Sequence, residues 1–252
     1  MRHHGLVLGC LTTAIVTVLY AAPAQAQATR TWVSGVGDDV NPCSRTAPCK
    51  TFPGAISKPA AGGEINCLDA GGFGGVTITK AMTIICQYTE GGVLVSLGSN
   101  AITVNAGVND VVVLRGLDIF GVGTGLNGIR FIAGAALHVE QSRISRFGAA
   151  NGNGILFAPS AASELYVSDT IISENGTGTT GNGILIQPTG SGSAKVVLSR
   201  TNVSNNIVGV KVANAAGAGA INVVVANSVV SGNAIHGILV DAAATGIQVM
   251  VD

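Results

Sequence analysis

Apolar and polar positions recur along the chain with a period of 25 to 31 residues from about residue 76 to the last residue. Most repeats carry a glycine followed by Ile or Val, then a short apolar run, then a Ser-x-Asn corner. The glycines of this step are Gly128, Gly154, Gly183, Gly209 and Gly237. Such a period is typical of a solenoid, in which each repeat buries its apolar face only against its neighbours.

Alternation along each strand predicts which side chains enter the core. The inward set after each glycine is Ile129, Phe131, Ile155, Phe157, Ile184, Ile186, Val210, Val212, Ile238 and Val240. A second column of strands starts at Val112, Leu137, Leu165, Val196 and Val223. Asn175, Asn206 and Asn233 fall at a corner, and we expect their amides to form a ladder between coils. The pattern predicts about seven coils, each rising about 4.8 Å.

The residue between the two inward positions of each repeat points outward. This outward column contains Arg130, Leu156, Leu185, Lys211 and Leu239. Single apolar residues are common on protein surfaces, whereas a contiguous patch indicates a binding face or a mate in an oligomer. We therefore predict a binding site at Arg130, Leu156, Leu185 and Lys211.

Residues 1–26 resemble an export signal. Arg2 precedes an apolar stretch from Gly5 to Tyr20, and Ala24-Gln25-Ala26 fits a cleavage site. A membrane anchor is the alternative, but the stretch is short and is interrupted by Gly and Thr. We predict a secreted or periplasmic protein with no membrane span once the signal is removed.

The remaining cysteines are even in number, which in an exported chain indicates disulfides. Four cysteines allow three pairings. We favour Cys43–Cys49, which closes a tight turn, and Cys67–Cys86, which links adjacent layers. A zinc site is the alternative, but the paired C-x-x-C spacing is missing and no histidine lies nearby in the sequence.

Residues 27–73 differ from the repeats and are assigned to an N-terminal cap with the first strand, followed by coils over 74–252. The cap has a strand ending in Val33-Ser34, a turn at Asp38-Asp39-x-Asn41-Pro42, and a step Lys50-Thr51-Phe52 into a helix predicted over 51–57. Thr51 is the expected N-cap, with Pro53 in the first turn. A helix here would cover the open end of the stack.

The order of these cap elements, over about 40 residues, resembles the N-terminal cap of secreted right-handed parallel β-helix proteins of the pectate-lyase-like superfamily. Beyond the cap, the chain is similar to that superfamily's uncharacterised bacterial branch. Cys43 and Cys49 occupy positions that are usually Gly and Phe in such caps. The resemblance implies an all-β fold. It also implies a possible activity on polysaccharides, since the fold hosts pectate lyases, polygalacturonases and uronate epimerases, but fold alone does not assign chemistry.

Opposite charges fall side by side when the coils are aligned. The pairs are Arg115 with Glu140, Asp118 with Arg143, and Asp169 with Arg200. We interpret them as cross-strand ion pairs. Enzymes of this fold that degrade polysaccharides need clustered carboxylates, and the aligned columns hold no such cluster. No catalytic residue is therefore assigned.

Other candidate residues have structural interpretations that we prefer. His236-Gly237 resembles the His-Gly step of polygalacturonases, but His236 shares a corner column with Asn127, Asn153 and Asn182. His138 shares a column with Tyr166 and is expected to face solvent or a groove. Asp38, Asp39 and Asn41 could bind Ca²⁺ through oxygen atoms. We favour an Asx-rich turn there, and predict no other cofactor.

The sequence is compatible with three functions. The first is non-catalytic binding of a glycan or a surface partner. The second is a polysaccharide lyase, hydrolase or epimerase with a divergent site, and the third is a structural or adhesin-like rod. The formal net charge is zero, so no nucleic-acid partner is predicted. The repeats stop within a strand at Asp252, and we expect either a fragment or self-association through an uncapped C-terminal end.

Overall fold

The computed structural model describes residues 27–214, 217–243 and 246–252. The predicted export signal lies outside these residues. The chain forms a parallel β-solenoid of about eight turns, with strands of three sheets following one another in each turn. The all-β parallel β-helix predicted from the sequence is confirmed, with one more turn than predicted. The extra turn arises because strands of the stack already form within the segment assigned to the cap.

The first sheet, sheet A, has nine strands. Its strands pair in parallel in the order in which the chain reaches them. They are β1 (Ala28–Val33), β2 (Pro59–Cys67), β5 (Met82–Ile85), β8 (Val111–Arg115), β11 (Ala136–Glu140), β14 (Ala162–Ser168), β17 (Ser193–Ser199), β20 (Ile221–Ala226) and β23 (Ile247–Val251).

The second sheet, sheet B, has seven short strands. They are β3 (Gly71–Gly72), β6 (Gly91–Leu94), β9 (Leu117–Phe120), β12 (Arg143–Ser145), β15 (Ile171–Ser173), β18 (Asn202–Ser204) and β21 (Val229–Ser231). The third sheet, sheet C, also has seven strands. They are β4 (Val76–Ile78), β7 (Asn100–Asn105), β10 (Asn127–Ala133), β13 (Asn153–Phe157), β16 (Asn182–Ile186), β19 (Val208–Asn214) and β22 (His236–Ala242).

The core is a set of stacked apolar columns in the centre of the solenoid. On sheet C, Ile129, Ile155, Ile184 and Val210 are register partners on successive strands, and each is fully buried. Phe131 and Phe157 stack with ring centroids 4.6 Å apart. The predicted inward set is therefore confirmed up to Val212. In the last repeat, Ile238 is partly buried and Val240 is 47% exposed, because no described strand of sheet C follows β22.

A ladder of asparagine amides joins the coils at the corner between sheets B and C. The Asn175 Nδ2 donates to Asn206 Oδ1 at 2.9 Å, and Asn206 Nδ2 donates to Asn233 Oδ1 at 3.1 Å. Each oxygen also accepts a backbone N–H from the coil before it, at 3.0 Å for both Asn175 N and Asn206 N. The predicted ladder is confirmed, and it satisfies the buried polar groups of a tight bend.

The repeated glycine is required by this corner. A Cβ built on Gly183 would lie 2.7 Å from the Gly209 carbonyl oxygen and 2.9 Å from Asn206 Nδ2. The equivalent atom on Gly154 would meet the Gly183 carbonyl oxygen at 2.6 Å and Asn175 Nδ2 at 2.9 Å. A side chain at these positions would therefore push adjacent coils and the amide ladder apart.

Hydroxyl groups form a second ladder at the corner between sheets A and B, which the sequence did not reveal. The Ser142 N–H donates to Thr170 Oγ1 at 3.3 Å, and the Thr201 N–H donates to Ser228 Oγ at 3.1 Å. The residue before each hydroxyl adopts a left-handed backbone, with φ of 51° at Asp169. These one-residue corners explain why the chain passes from sheet A to sheet B without a loop.

The cap is less helical than predicted. Helix α1 (Phe52–Ala55) is a single turn, so no clear capping helix over 51–57 is present. Thr51 is its N-cap and accepts the Gly54 N–H at 3.0 Å, as expected. Phe52 packs on Phe73 with centroids 5.2 Å apart. Burial of Phe52 and Ala55, rather than a helix, joins the cap to the stack.

Both predicted disulfides are present. Cys43 is bonded to Cys49 in the cap, and Cys67, at the end of β2, is bonded to Cys86, which follows β5. Because β2 and β5 are neighbours in sheet A, the second bond links two layers. No helix among the described residues is long and apolar enough to cross a membrane.

Replacement of Asn206 by alanine is expected to destabilise the solenoid by about 3 kcal/mol, because buried amide and backbone groups of Asn175 would lose their acceptor. Denaturant unfolding of the variant measures the change. Asn202→Ala is the matched control, since Asn202 lies on the exposed side of the preceding strand. Equal stability of the two variants would contradict the structural role of the ladder.

Candidate functional site

The predicted outward column is in register on sheet C. Arg130 pairs with Leu156, Leu156 with Leu185, and Leu185 with Lys211 on successive strands. Leu239 follows Lys211 on β22. Arg130 is exposed, and the others are half-buried. The four residues predicted as a binding site therefore lie in one continuous row that runs along the solenoid axis.

These side chains form the floor of an open groove of about 700 Å³, here called the sheet C groove. Leu156, Leu185 and Leu239 supply its apolar floor, with Arg130 and Lys211 in the same row. Polar residues from the corner before sheet C supply one wall. The further lining residues are Leu126, Asn127, Asn151, Asn153, Thr179, Thr180, Gly181, Asn182, Gln187, Val208, Ile235 and His236.

The groove carries positive charge. Arg130 and Lys211 are its charged lining residues, and none of the described lining residues is a carboxylate. Lys211 Nζ forms an ion pair at 2.9 Å with Asp241 Oδ2, which lies outside the lining and is 62% exposed. This exposed pair leaves Lys211 able to exchange partners at small cost. The groove therefore favours an anionic ligand that also offers apolar surface.

A second asparagine ladder runs along the margin of the groove. Asn127 Nδ2 donates to Asn100 Oδ1 at 2.7 Å, Asn153 Nδ2 to Asn127 Oδ1 at 2.9 Å, and Asn182 Nδ2 to Asn153 Oδ1 at 2.7 Å. The sequence placed three of these residues in one corner column but did not predict their bonding. Val208 interrupts the column after Asn182, and His236 lies at its exposed end.

Two of the three predicted ion pairs are present. Arg115 Nε donates to Glu140 Oε2 at 2.7 Å, and Arg200 Nε donates to Asp169 Oδ1 at 2.7 Å. The hydrogen bonds from Arg200 hold the pKa of the Asp169 carboxyl below its usual value. Asp118 and Arg143 are register partners on sheet B, but among the described residues they form no ion pair.

A cluster on the outer face of sheet A includes His138, as the shared column with Tyr166 predicted. The two rings stack with centroids 4.8 Å apart. Tyr166 donates its hydroxyl to Glu164 Oε2 at 2.6 Å, and this bond raises the pKa of Tyr166. Lys195 Nζ lies 3.3 Å from Glu164 Oε1. Within the cluster, the Tyr166 hydroxyl and the Lys195 ammonium group both contact the Glu164 carboxylate.

The candidate Ca²⁺ ligands of the cap have structural hydrogen bonds. Asp39 Oδ1 accepts the N–H groups of Lys50 and Thr51, both at 2.8 Å, and Oδ2 accepts the Thr51 hydroxyl at 2.7 Å. Asp38 Oδ1 accepts the Val40 N–H at 3.1 Å, and Asn41 Nδ2 donates to the Pro48 carbonyl at 2.8 Å. The Asx-rich turn is therefore present, and Ca²⁺ binding stays a prediction.

No group of three or more His, Cys, Asp or Glu residues that could hold a metal ion occurs in the described part of the chain. His236 lies at the margin of the groove without a carboxylate beside it in the lining. The arrangement on sheet C can bind a ligand through charge, amide groups and apolar contact.

Comparison with known proteins gives two similar solved structures. One is pectate lyase Pel9A, with a TM-score of 0.42 and 11% identity over 87% of this chain and 78% of that chain. The other is a rhamnogalacturonan lyase, with a TM-score of 0.38 and 13% identity over 80% of this chain and 75% of that chain. No protein-family model and no curated protein matches the chain. At this level of similarity, no activity transfers to the chain.

Ionisation of Asp39 is expected to stabilise the cap. Burial raises its pKa, but the bonds from Thr51 and Lys50 outweigh burial and lower the pKa below the ordinary value. The stabilisation is therefore complete above the unfolded-state pKa of about 4 and is lost as the pH falls through the lower folded-state pKa. Unfolding of Asp39→Asn measured from pH 7 to pH 2 should show reduced stability at pH 7 and a shallower loss on acidification.

The matched control for this variant is Asp38→Asn, because Asp38 accepts only a local bond from Val40 in the same turn. A profile of Asp39→Asn that overlays the parent profile at every pH would contradict the assignment.

Proposed function

We propose that this protein is an exported, non-catalytic β-helix protein that binds an acidic polysaccharide along the sheet C groove. The observation that carries the proposal is the register of Arg130, Leu156, Leu185 and Lys211 in one groove. Two cationic side chains in one row, separated by apolar side chains, suit a polysaccharide in which each sugar unit has a carboxylate and an apolar ring face. Two disulfides fit an oxidising compartment.

The geometry suits a linear polymer rather than a small molecule. Arg130 and Lys211 are three strands apart in register, which corresponds to about 14 Å along the axis. A polysaccharide laid parallel to the axis would contact one residue of this row at each coil. Its hydroxyl groups would reach the polar wall of Asn151, Thr179 and Thr180.

Binding without turnover is proposed because the groove offers no evident acid and base. Glycoside hydrolysis uses a pair of carboxyl groups, and the described lining residues include none. The direct assay is incubation with polygalacturonate, followed by the absorbance of unsaturated uronate, with and without Ca²⁺. Turnover would support the lyase alternative and would overturn the non-catalytic proposal.

Substitution in the groove tests the binding proposal. Titration calorimetry with oligogalacturonate should show binding to the parent protein. Arg130→Ala and Lys211→Ala should each weaken it by about tenfold, because each removes a charge-assisted hydrogen bond. Higher salt should weaken it further, since the contacts are exposed.

The matched control is Arg45→Ala, which removes an exposed arginine from the cap, outside the groove. Equal loss of binding in Arg130→Ala and Arg45→Ala would show general attraction of charge rather than a groove. An absence of binding by the parent protein to every acidic polysaccharide tested would refute the proposal.

A further inference from the structure

A second depression lies on the outer face of sheet B, near the N-terminal end of the solenoid. It has a volume of about 680 Å³ and is here called the sheet B depression. Its lining comes from four successive strands, β3, β6, β9 and β12. The lining residues are Ala70, Gly71, Gly72, Glu90, Gly92, Val93, Leu94, Asp118, Phe120, Arg143 and Ser145.

Strand register explains the depression. One outward row passes from Gly72 to Gly92, Asp118 and Arg143. Gly72 and Gly92 have no side chain, so the backbone is uncovered at the first two positions of the row. Charged side chains stand at the next two positions, Asp118 and Arg143. A Cβ built on Gly72 would meet no heavy atom within 4 Å. The depression is therefore open space that any side chain at Gly72 would enter.

The neighbouring outward row supplies apolar surface and a hydroxyl. Leu94 pairs with Phe120, and Phe120 pairs with Ser145. Leu94 is 61% exposed. The Arg146 guanidinium lies 5.6 Å from the Phe120 ring centroid, and it holds the ring in place at the edge of the depression.

Ser145 carries the strongest sign of a ligand. The residue is 1% exposed, yet its Oγ has no hydrogen-bond partner in the described part of the chain. Among the described residues, no other side-chain nitrogen or oxygen atom that is equally buried lacks a hydrogen-bond partner. A buried hydroxyl left without a partner is costly. A ligand group in the depression would supply the missing bond.

The charged groups of the depression are also free to bind. Glu90 and Arg143 are exposed and Asp118 is half-buried, and none of the three forms an ion pair among the described residues. Two carboxylates against one guanidinium disfavour an anionic ligand. Carboxylates and a guanidinium do accept and donate hydrogen bonds to hydroxyl groups, and Phe120 and Leu94 offer an apolar face.

We propose that the sheet B depression is a second binding site, for a neutral saccharide of one or two sugar units. The apolar face of a pyranose ring would pack on Phe120 and Leu94. Its hydroxyl groups would bond to Asp118, Glu90, Arg143 and the buried Ser145 Oγ. The two sites of the protein would then differ in charge preference, with acidic chains on sheet C and neutral sugars on sheet B.

A glycan array carrying neutral and uronate oligosaccharides tests this proposal, followed by titration calorimetry with the neutral disaccharide that is retained best. Ser145→Ala is the sharpest variant. It should weaken neutral-sugar binding by about tenfold, the effect of one lost hydrogen bond. Its thermal stability should stay equal to that of the parent protein or rise, because the hydroxyl it removes has no partner in the folded protein.

Asp118→Asn should also weaken neutral-sugar binding, whereas Lys211→Ala should leave it unchanged and reduce only acidic-glycan binding. This comparison separates the two sites, so that either proposal can fail alone. Retention of no neutral glycan by the parent protein would overturn the second site. So would neutral-sugar binding that Ser145→Ala and Asp118→Asn leave intact, or that Lys211→Ala abolishes.

Discussion

The close approach of neighbouring coils at the corner between sheets B and C is the constraint on which the rest of the structure depends. An asparagine amide can bond to the next coil only where a glycine opposite leaves room for it, as Gly183 does for Asn206. Glycine is entropically unfavourable in a strand, and the buried bonds of the ladder offset that cost. The contact between the asparagine of one coil and the glycine of another fixes the register between neighbouring coils. A slip by one residue would also turn the buried aliphatic side chains of the slipped strand outward.

Fixed register has a direct consequence for function. Every outward position becomes a row along the solenoid axis, so that residues 26 to 29 positions apart in the sequence become neighbours. A row of leucines between Arg130 and Lys211 makes one surface, and glycines followed by Asp118 and Arg143 make another. All the coils contribute to one apolar core, whereas the outer faces of the three sheets differ in their charged, polar and apolar side chains. Both proposed sites therefore consist of rows of residues along the axis and not of single loops.

The repeated apolar strands and both disulfides could be predicted from the sequence, whereas the hydroxyl ladder and the length of the cap helix could not. Regular spacing from Gly128 to Gly237 was enough to align the outward column and the asparagine corner. The Cys43–Cys49 bond was favoured because it closes a tight turn, and Cys67–Cys86 because it links adjacent layers near one end of the stack. The cap helix is one turn long, shorter than predicted, because Pro53 and Gly54 have low helix propensity. Burial of Phe52 holds this segment against the stack instead.

The sheet B depression was not predictable from the columns that we aligned. Those columns began at Val112, and the glycines of β3 and β6 lie before them on strands of two and four residues. Nor does sequence distinguish Ser145, whose hydroxyl lacks a partner, from Ser173 or Ser204 in the same row. Whether a buried hydroxyl forms a hydrogen bond depends on its distance from acceptors on another coil. The repeat pattern of the sequence does not give these distances.

Disulfide trapping tests the central claim, which is the register of coils imposed by the corner. Leu156→Cys combined with Leu185→Cys places two thiols on adjacent strands, about 4.8 Å apart between backbones, within the range of a disulfide. Leu156→Cys combined with Lys211→Cys places them two strands apart, at about 10 Å. After mild oxidation, peptide mass spectrometry should find a bridge in the first variant and none in the second. A bridge in the second variant, or its absence from the first, would contradict the account.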